Sequence, residues 1–237
     1  MLQELIESSF DKNTEGVFTA IPGIVVRVRD NFQNLYIDVQ PAINDNKRDG
    51  STTERPVVLN VPVQMPSSSK AALTLPIAPG DPVLLIYSMR GVDVWKRGDG
   101  YPQTPSDFRK FDKRDCFAIP GVWPISRSVN NPSKHSWDHN PQDVVLVNNL
   151  GATNEVEVRL KQDGNVLIRT RNNVSIECDN AEVVANTSAS ITTPDLTIDA
   201  ANCTWTGNVT HVGSFSFNGV IFSSHRHAPS TVPPSNP

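Results

Sequence analysis

"NVLIRTRNNVSIECDNAEVVANTSASITTPDLTIDA", residues 165–200, is the stretch that decides the fold. It falls into short alternating pieces, "NVLIRT" (165–170), "NVSIEC" (173–178), "AEVVA" (181–185), "ASITT" (189–193) and "LTIDA" (196–200), parted mostly by Asn and Asp. "VEVRL" (156–160) precedes them, and "CTWTG" (203–207), "NVTHV" (208–212) and "SFSFNGV" (214–220) continue the series. Strand centres advance by roughly eight residues at first and by roughly six or seven later. A regular succession of very short strands separated by turns is the pattern of a β-solenoid or β-helix.

Such a solenoid has a core problem. Each piece offers one or two good apolar residues on a face, such as Val174 with Ile176 or Leu196 with Ile198, and small polar residues fill the rest. One chain wound alone would bury too little apolar surface to offset the entropy of ordering it. Three identical chains wound round one axis remove the difficulty, because inward residues then meet their symmetry mates. The sequence therefore predicts an intertwined, homotrimeric β-helical shaft over residues 143–213 rather than a monomeric solenoid or sandwich.

Upstream the pattern is of longer strands. "GIVVRVRD" (23–30) and "LYIDVQPAI" (35–43) flank the turn "NFQN"; "RPVVLNVPVQM" (55–65), "PGDPVLLIYSM" (79–89) and a shorter piece, "GVDVWKRGDG" (91–100), follow. Five or six strands with long connections predict a small Greek-key barrel of the OB type over residues 17–103, although a sandwich reads much the same. Residues 1–16 form an N-terminal arm with at most one amphipathic turn or two of helix. Residues 104–142 mix proline, charge and tryptophan without period and read as an irregular linker or wrap.

Composition excludes several classes. The formal charge of −4 over 237 residues carries no basic footprint, so nucleic acid is not an expected partner. Three cysteines, Cys116, Cys178 and Cys203, argue against a disulfide framework and fit a chain made in a reducing cytosol. The first residues are acidic where a signal peptide would be basic, and no run of about 18 apolar residues is present.

Three segments carry a family resemblance: "TAIPGIVVRVRDNFQNLYIDVQPAI" (19–43), "GDPVLLIYSMRGVDVWKRGDG" (80–100) and "DKRDCFAIPGVWPI" (112–125). In this order they resemble the central baseplate spikes of contractile-tailed bacteriophages, membrane-piercing proteins with an OB-type N-terminal region. Pro22-Gly23 matches the pair that opens the first strand, and Asp115 before "FAIPG" (117–121) matches an acidic residue before an "F.IPG" element. The resemblance implies an all-β homotrimer: three barrels, a three-chain β-helix and a metal-capped tip over residues 214–237. It implies a virion protein of the tail baseplate, assembled in the host cytoplasm, docked to other baseplate or hub proteins through its N-terminal domain. Its task would be to cross the host outer membrane mechanically when the tail contracts.

It also implies a single metal ion on the threefold axis, held by an H-x-H pair from each chain. His225 and His227 stand in that place. On a strand, residues i and i+2 share a face, about 6.5–7 Å apart. Two imidazoles make a weak site, but threefold symmetry turns them into six nitrogens, an octahedral set that suits Fe(II), Ni(II) or Co(II) better than tetrahedral Zn(II). The resemblance favours one Fe(II) per trimer, with another transition metal as the alternative. A site so closed has no open position and would be structural. From Ala200 to Pro237 the only charged side chain is Arg226, as befits a tip that passes through lipid.

The remaining candidates read as structural. His135 and His139 are expected at the surface of the wrap, His211 on a strand, and the acidic pairs Glu155/Glu157 and Asp195/Asp199 on exposed faces. No nucleophile elbow, P-loop or dinucleotide fingerprint occurs, so the chain is not expected to be an enzyme. A capsule-degrading β-helical enzyme and a receptor-binding adhesin are the competing readings.

Overall fold

The computed structural model describes residues 17–30, 35–47 and 49–217, together with residues 3, 33, 220 and 221. The chain divides into two units, Met1–Ile176 and Glu177–Pro237. Its described residues are built almost wholly from strands and irregular segments, which makes the protein all-β. Among them no helix is long and apolar enough to cross a membrane.

The first unit is organised by β1 (Ala20–Val28), β2 (Tyr36–Pro41), β5 (Val58–Pro62), β6 (Pro82–Tyr87) and β7 (Cys116–Pro120). Two minor strands, β3 (Asp45–Asn46) and β4 (Thr52–Thr53), make a separate hairpin. The main sheet runs in the order β5-β2-β1-β6-β7 with every pair antiparallel. It curls until its ends meet: Val63, just past β5, forms a parallel bridge to Ala118 of β7, and the Gln64 N–H donates to the Ala118 carbonyl at 2.8 Å.

The curl follows from local sequence. Register shifts fall between Val25 and Arg27 on β1 and between Ile37 and Val39 on β2, and each such irregularity bends a strand and increases its twist. Gly23 lies opposite Pro41 in the β1–β2 pairing. A Cβ there would collide with Val39 Cγ1 and lie 3.2 Å from the Gln40 carbonyl oxygen. Alternation then sends Val25, Ile37, Val39, Val61, Val83, Leu85, Cys116 and Ala118 inward, all essentially without solvent exposure.

Two expectations need correction. Residues 91–100 contain a short helix, α1 (Asp93–Arg97), and no strand. Val92 and Trp95, three apart, lie on one helical side. Asp93 in the first turn and Lys96 and Arg97 in the last complement the helix dipole. Trp95 packs edge-on against Phe117, centroids 5.6 Å apart, and donates to the Gly100 carbonyl at 3.1 Å. The second correction concerns residues 104–142. This segment supplies β7, the fifth strand of the sheet, which the proline and charge around it concealed. Only after Gly121 does it become the irregular path expected, with 3-10 turns at Ile125–Arg127 and Pro132–Lys134.

The same unit ends in an antiparallel meander of β8 (Val144–Asn148), β9 (Val156–Leu160) and β10 (Val166–Thr170). Its register aligns Val144, Leu160 and Val166 in one row and Leu146, Val158 and Ile168 in the next but one, and all six are exposed. The opposite face carries Glu157, Arg159 and Arg169 and is covered. The meander is thus turned inside out relative to the ordinary hydrophobic-in arrangement.

Residues 171–215 contain no strand. Their apolar side chains stand in solvent, among them Ile176 at 81%, Val183 at 87% and Val212 at 94% exposure. The second unit closes its described part with a two-residue-a-side hairpin, β11 (Ser216–Phe217) against β12 (Val220–Ile221).

Candidate functional site

The metal ligands read from the sequence, His225 and His227, lie outside the described residues. Among the described residues no group of three or more His, Cys, Asp and Glu side chains is arranged to hold a metal ion. His211 is exposed, its ring edge-on to Phe215 at 5.6 Å. Asp195 and Asp199 are exposed as expected. All three cysteines are free; Cys116 is buried, and burial pushes its thiol up to about 11.

The other titratable residues overturn the surface reading. Glu155 and Glu157 are buried at 0% and 1% exposure, and the segment holding His135 and His139 lies over them. The two imidazoles stack face to face, 3.7 Å apart and 3° from parallel. His135 Nε2 lies 3.0 Å from the Val129 carbonyl oxygen, which can only accept, so that nitrogen carries a proton. Its Nδ1 lies 3.9 Å from Glu155 Oε1. The other oxygen of Glu155 accepts from the Ser136 N–H at 2.9 Å and the Gly151 N–H at 2.5 Å. Burial pushes the Glu155 carboxyl up, but these two donors and His135 together hold it below the ordinary range. Burial, then the neighbouring His135 and Arg159, pushes His139 down.

Glu157 lies between two guanidinium groups, 2.9 Å from Arg159 and 2.6 Å from Arg169. Arg159 also donates to the Asp138 carbonyl at 2.8 Å. The Trp137 ring lies under Arg169 and Arg171, 5.1 and 5.0 Å from their guanidinium carbons. One signal in the sequence points to this arrangement: Glu157 and Arg169 are opposite-sign residues in cross-strand register, which a charged face turned inward requires.

A second ionic centre sits in the barrel unit on the motif residue Asp115, which is fully buried. Arg109 grips it with Nε to Oδ2 at 2.6 Å and Nη2 to Oδ1 at 3.0 Å, and the Val92 N–H donates to Oδ1 at 3.0 Å. The same guanidinium bonds Asp93 and, at 2.6 Å, Asp107. Asp115 therefore ties the long β6–β7 connection to the strand it precedes, which explains an acid at that position.

Beside this centre is an open groove of about 720 Å³. It is lined by residues 57–60, at the start of the terminal strand β5, by Lys96, Arg97, Lys113 and Arg114, and by the carboxylates Asp30 and Asp93. Tyr36 also lines it, its hydroxyl donating to the Lys96 carbonyl at 3.0 Å.

Residues 21–121 match the family model described as the phage protein Gp138 N-terminal domain. The barrel unit is similar to a phage protein. The matched residues run from β1 through β7, the whole of the curled sheet, and the similarity supports a bacteriophage structural protein and a component of the virion. No curated protein matched the chain.

Proposed function

We propose that three copies of this chain form the central spike at the tip of a contractile phage tail, a non-enzymatic device that pierces the host outer membrane mechanically. In this reading the curled five-stranded sheet of the first unit is an OB-type barrel: its strand order, closed by the parallel Val63–Ala118 bridge, is the five-stranded Greek-key arrangement of that fold. It docks on the baseplate, and residues beyond it wind with two other copies into a β-helical shaft.

The observation that carries the proposal is the exposure of residues 171–215. Val174, Ile176, Val183, Val184, Ile191, Leu196, Ile198, Val209 and Val212 are each more than half exposed on a single chain without strand partners. Burying one such side chain contributes about 1.5–3 kcal/mol, so their common burial between chains contributes on the order of 10 kcal/mol per chain. Backbone buried in a shaft also requires partners for its N–H and C=O groups, and neighbouring copies provide them. The β8–β10 meander exposes six further aliphatic side chains on one face.

At the tip, His225 and His227 from each chain supply six imidazole nitrogens for one ion, with iron the favoured metal. The donor set fits an octahedral metal only as a trimer, so the ion fastens three chain ends and stabilises the assembled state alone. The double substitution His225→Ala, His227→Ala tests this role: the purified variant is expected to lose its metal and keep its trimeric mass. Retention of metal at the wild-type ratio would remove the site from these histidines.

A further inference from the structure

We propose that the groove between β5 and α1 binds an extended, acidic peptide segment of a partner protein, which adds as a strand to the free edge of β5. This goes beyond the spike reading and depends neither on the trimer nor on the metal.

Three observations meet in the groove. First, β5 is the terminal strand of the sheet order, and its outer edge meets another strand only beyond its end, at Val63. An open edge is a template for strand addition. Second, the side chains along that edge are apolar and exposed, Val57 at 40% and Leu59 at 57%, so alternate residues of an added strand find an apolar seat. Third, the groove lining is mainly cationic, with Arg29, Lys96, Arg97, Lys113 and Arg114 against two carboxylates, Asp30 and Asp93, and part of that positive charge is uncommitted. Arg29 is matched by Asp38 and Arg114 by Asp112. Arg97 and Lys113 are exposed and have no hydrogen bond or ion pair to any described residue. Lys96 bonds only a carbonyl, that of Arg114, at 3.3 Å.

The same features weigh against single-stranded nucleic acid, the other common guest of a barrel with this strand order. Such sites need aromatic faces on which bases stack. Tyr36 is the one aromatic side chain of the described lining, and its hydroxyl is tied to the backbone of α1. Carboxylates at alternate positions of a strand meet Arg97 and Lys113, and the residues between them cover Val57 and Leu59.

Fluorescence anisotropy of the full chain with an end-capped ten-residue peptide of alternating Glu and Val tests the proposal. The peptide is expected to bind at low ionic strength, to weaken as salt rises, and to weaken further when alternate backbone amides are N-methylated. The variant Arg97→Glu, Lys113→Glu changes two exposed side chains that have no partner among the described residues, and its circular dichroism is expected to match the wild type. Its affinity for the peptide is expected to fall at least about tenfold, one decade per 1.4 kcal/mol of lost interaction. Absence of binding, equal binding of a Lys–Val peptide, or an unchanged affinity in the variant would each overturn the proposal. So would tighter binding of an oligothymidylate through the same two cations.

Discussion

Replacing Arg109 by Met removes one partner from the ion pair that anchors β7 of the curled five-stranded sheet, and its cost can be worked from the structure. Asp107 and Asp93 are more than two-fifths exposed, so their bonds to Arg109 contribute at most a few tenths of a kcal/mol each. Asp115 is different, with a side chain 1% exposed and gripped by both arms of the guanidinium. Removing one partner of a buried pair costs about 3–5 kcal/mol. The Val92 N–H still serves Asp115, which places the loss at the lower end, about 3 kcal/mol. That is roughly a hundredfold in the local opening equilibrium.

The pH dependence carries a sign of its own. Burial pushes the Asp115 carboxyl up, but Arg109 and the Val92 N–H pull it further down, so it lies below its ordinary value. A carboxyl held low contributes stability above its unfolded value of about 4, and that stability is lost as pH falls through the folded value. Without Arg109, burial dominates and the carboxyl rises. The penalty of Arg109→Met is then largest near neutral pH, shrinks once pH falls through the raised value of the unpaired carboxyl, and is gone only below the lowered wild-type value. Hydrogen exchange at the β6–β7 amides reads this directly. Exchange rates within about threefold of wild type, or a penalty that grows on acidification, would refute the reasoning.

The β8–β10 meander yields two further expectations. Glu157→Ala leaves the guanidinium of Arg159, 5% exposed, without its closest anion, and is expected to cost about 3–5 kcal/mol. Hydrogen exchange should show the loss in β8–β10 amides and spare those of β1 and β6. Acid is expected to loosen the segment covering this sheet. His139 is held down, so its stability is complete above about pH 6.5 and declines below; Glu155 is held low, and its share is lost below about pH 4.5. Trp137 fluorescence should shift across that interval, and a flat profile from pH 7 to 4 would contradict the arrangement.

The strands of the barrel were legible because alternation of Val, Ile and Leu with polar residues states which side is inside, and Pro22-Gly23 and "FAIPG" mark where it bends and ends. The helix at Asp93–Arg97 was not, since five residues are too few for period 3.6 to declare itself against period 2. In "VEVRL" the alternation was plain but its sense was inverted. The default puts Val156, Val158 and Leu160 inside; arginines from two strands and a tryptophan reverse it by pairing with Glu157 and stacking over the charged face. That reversal also buried His139, Glu155 and Glu157, which local sequence alone presents as surface residues. Beyond Arg171 the short pieces carry too few apolar residues to fold against themselves, and up to residue 215 a single chain shows them without strands and exposed.

The central claim is that this chain is complete only in threes. Native mass spectrometry of the purified protein, combined with elemental analysis of the same sample, tests it most directly. The account predicts a particle of three 26.0 kDa chains holding one transition-metal ion, expected to be iron. A folded 26.0 kDa monomer, or one metal ion for every chain, would contradict it.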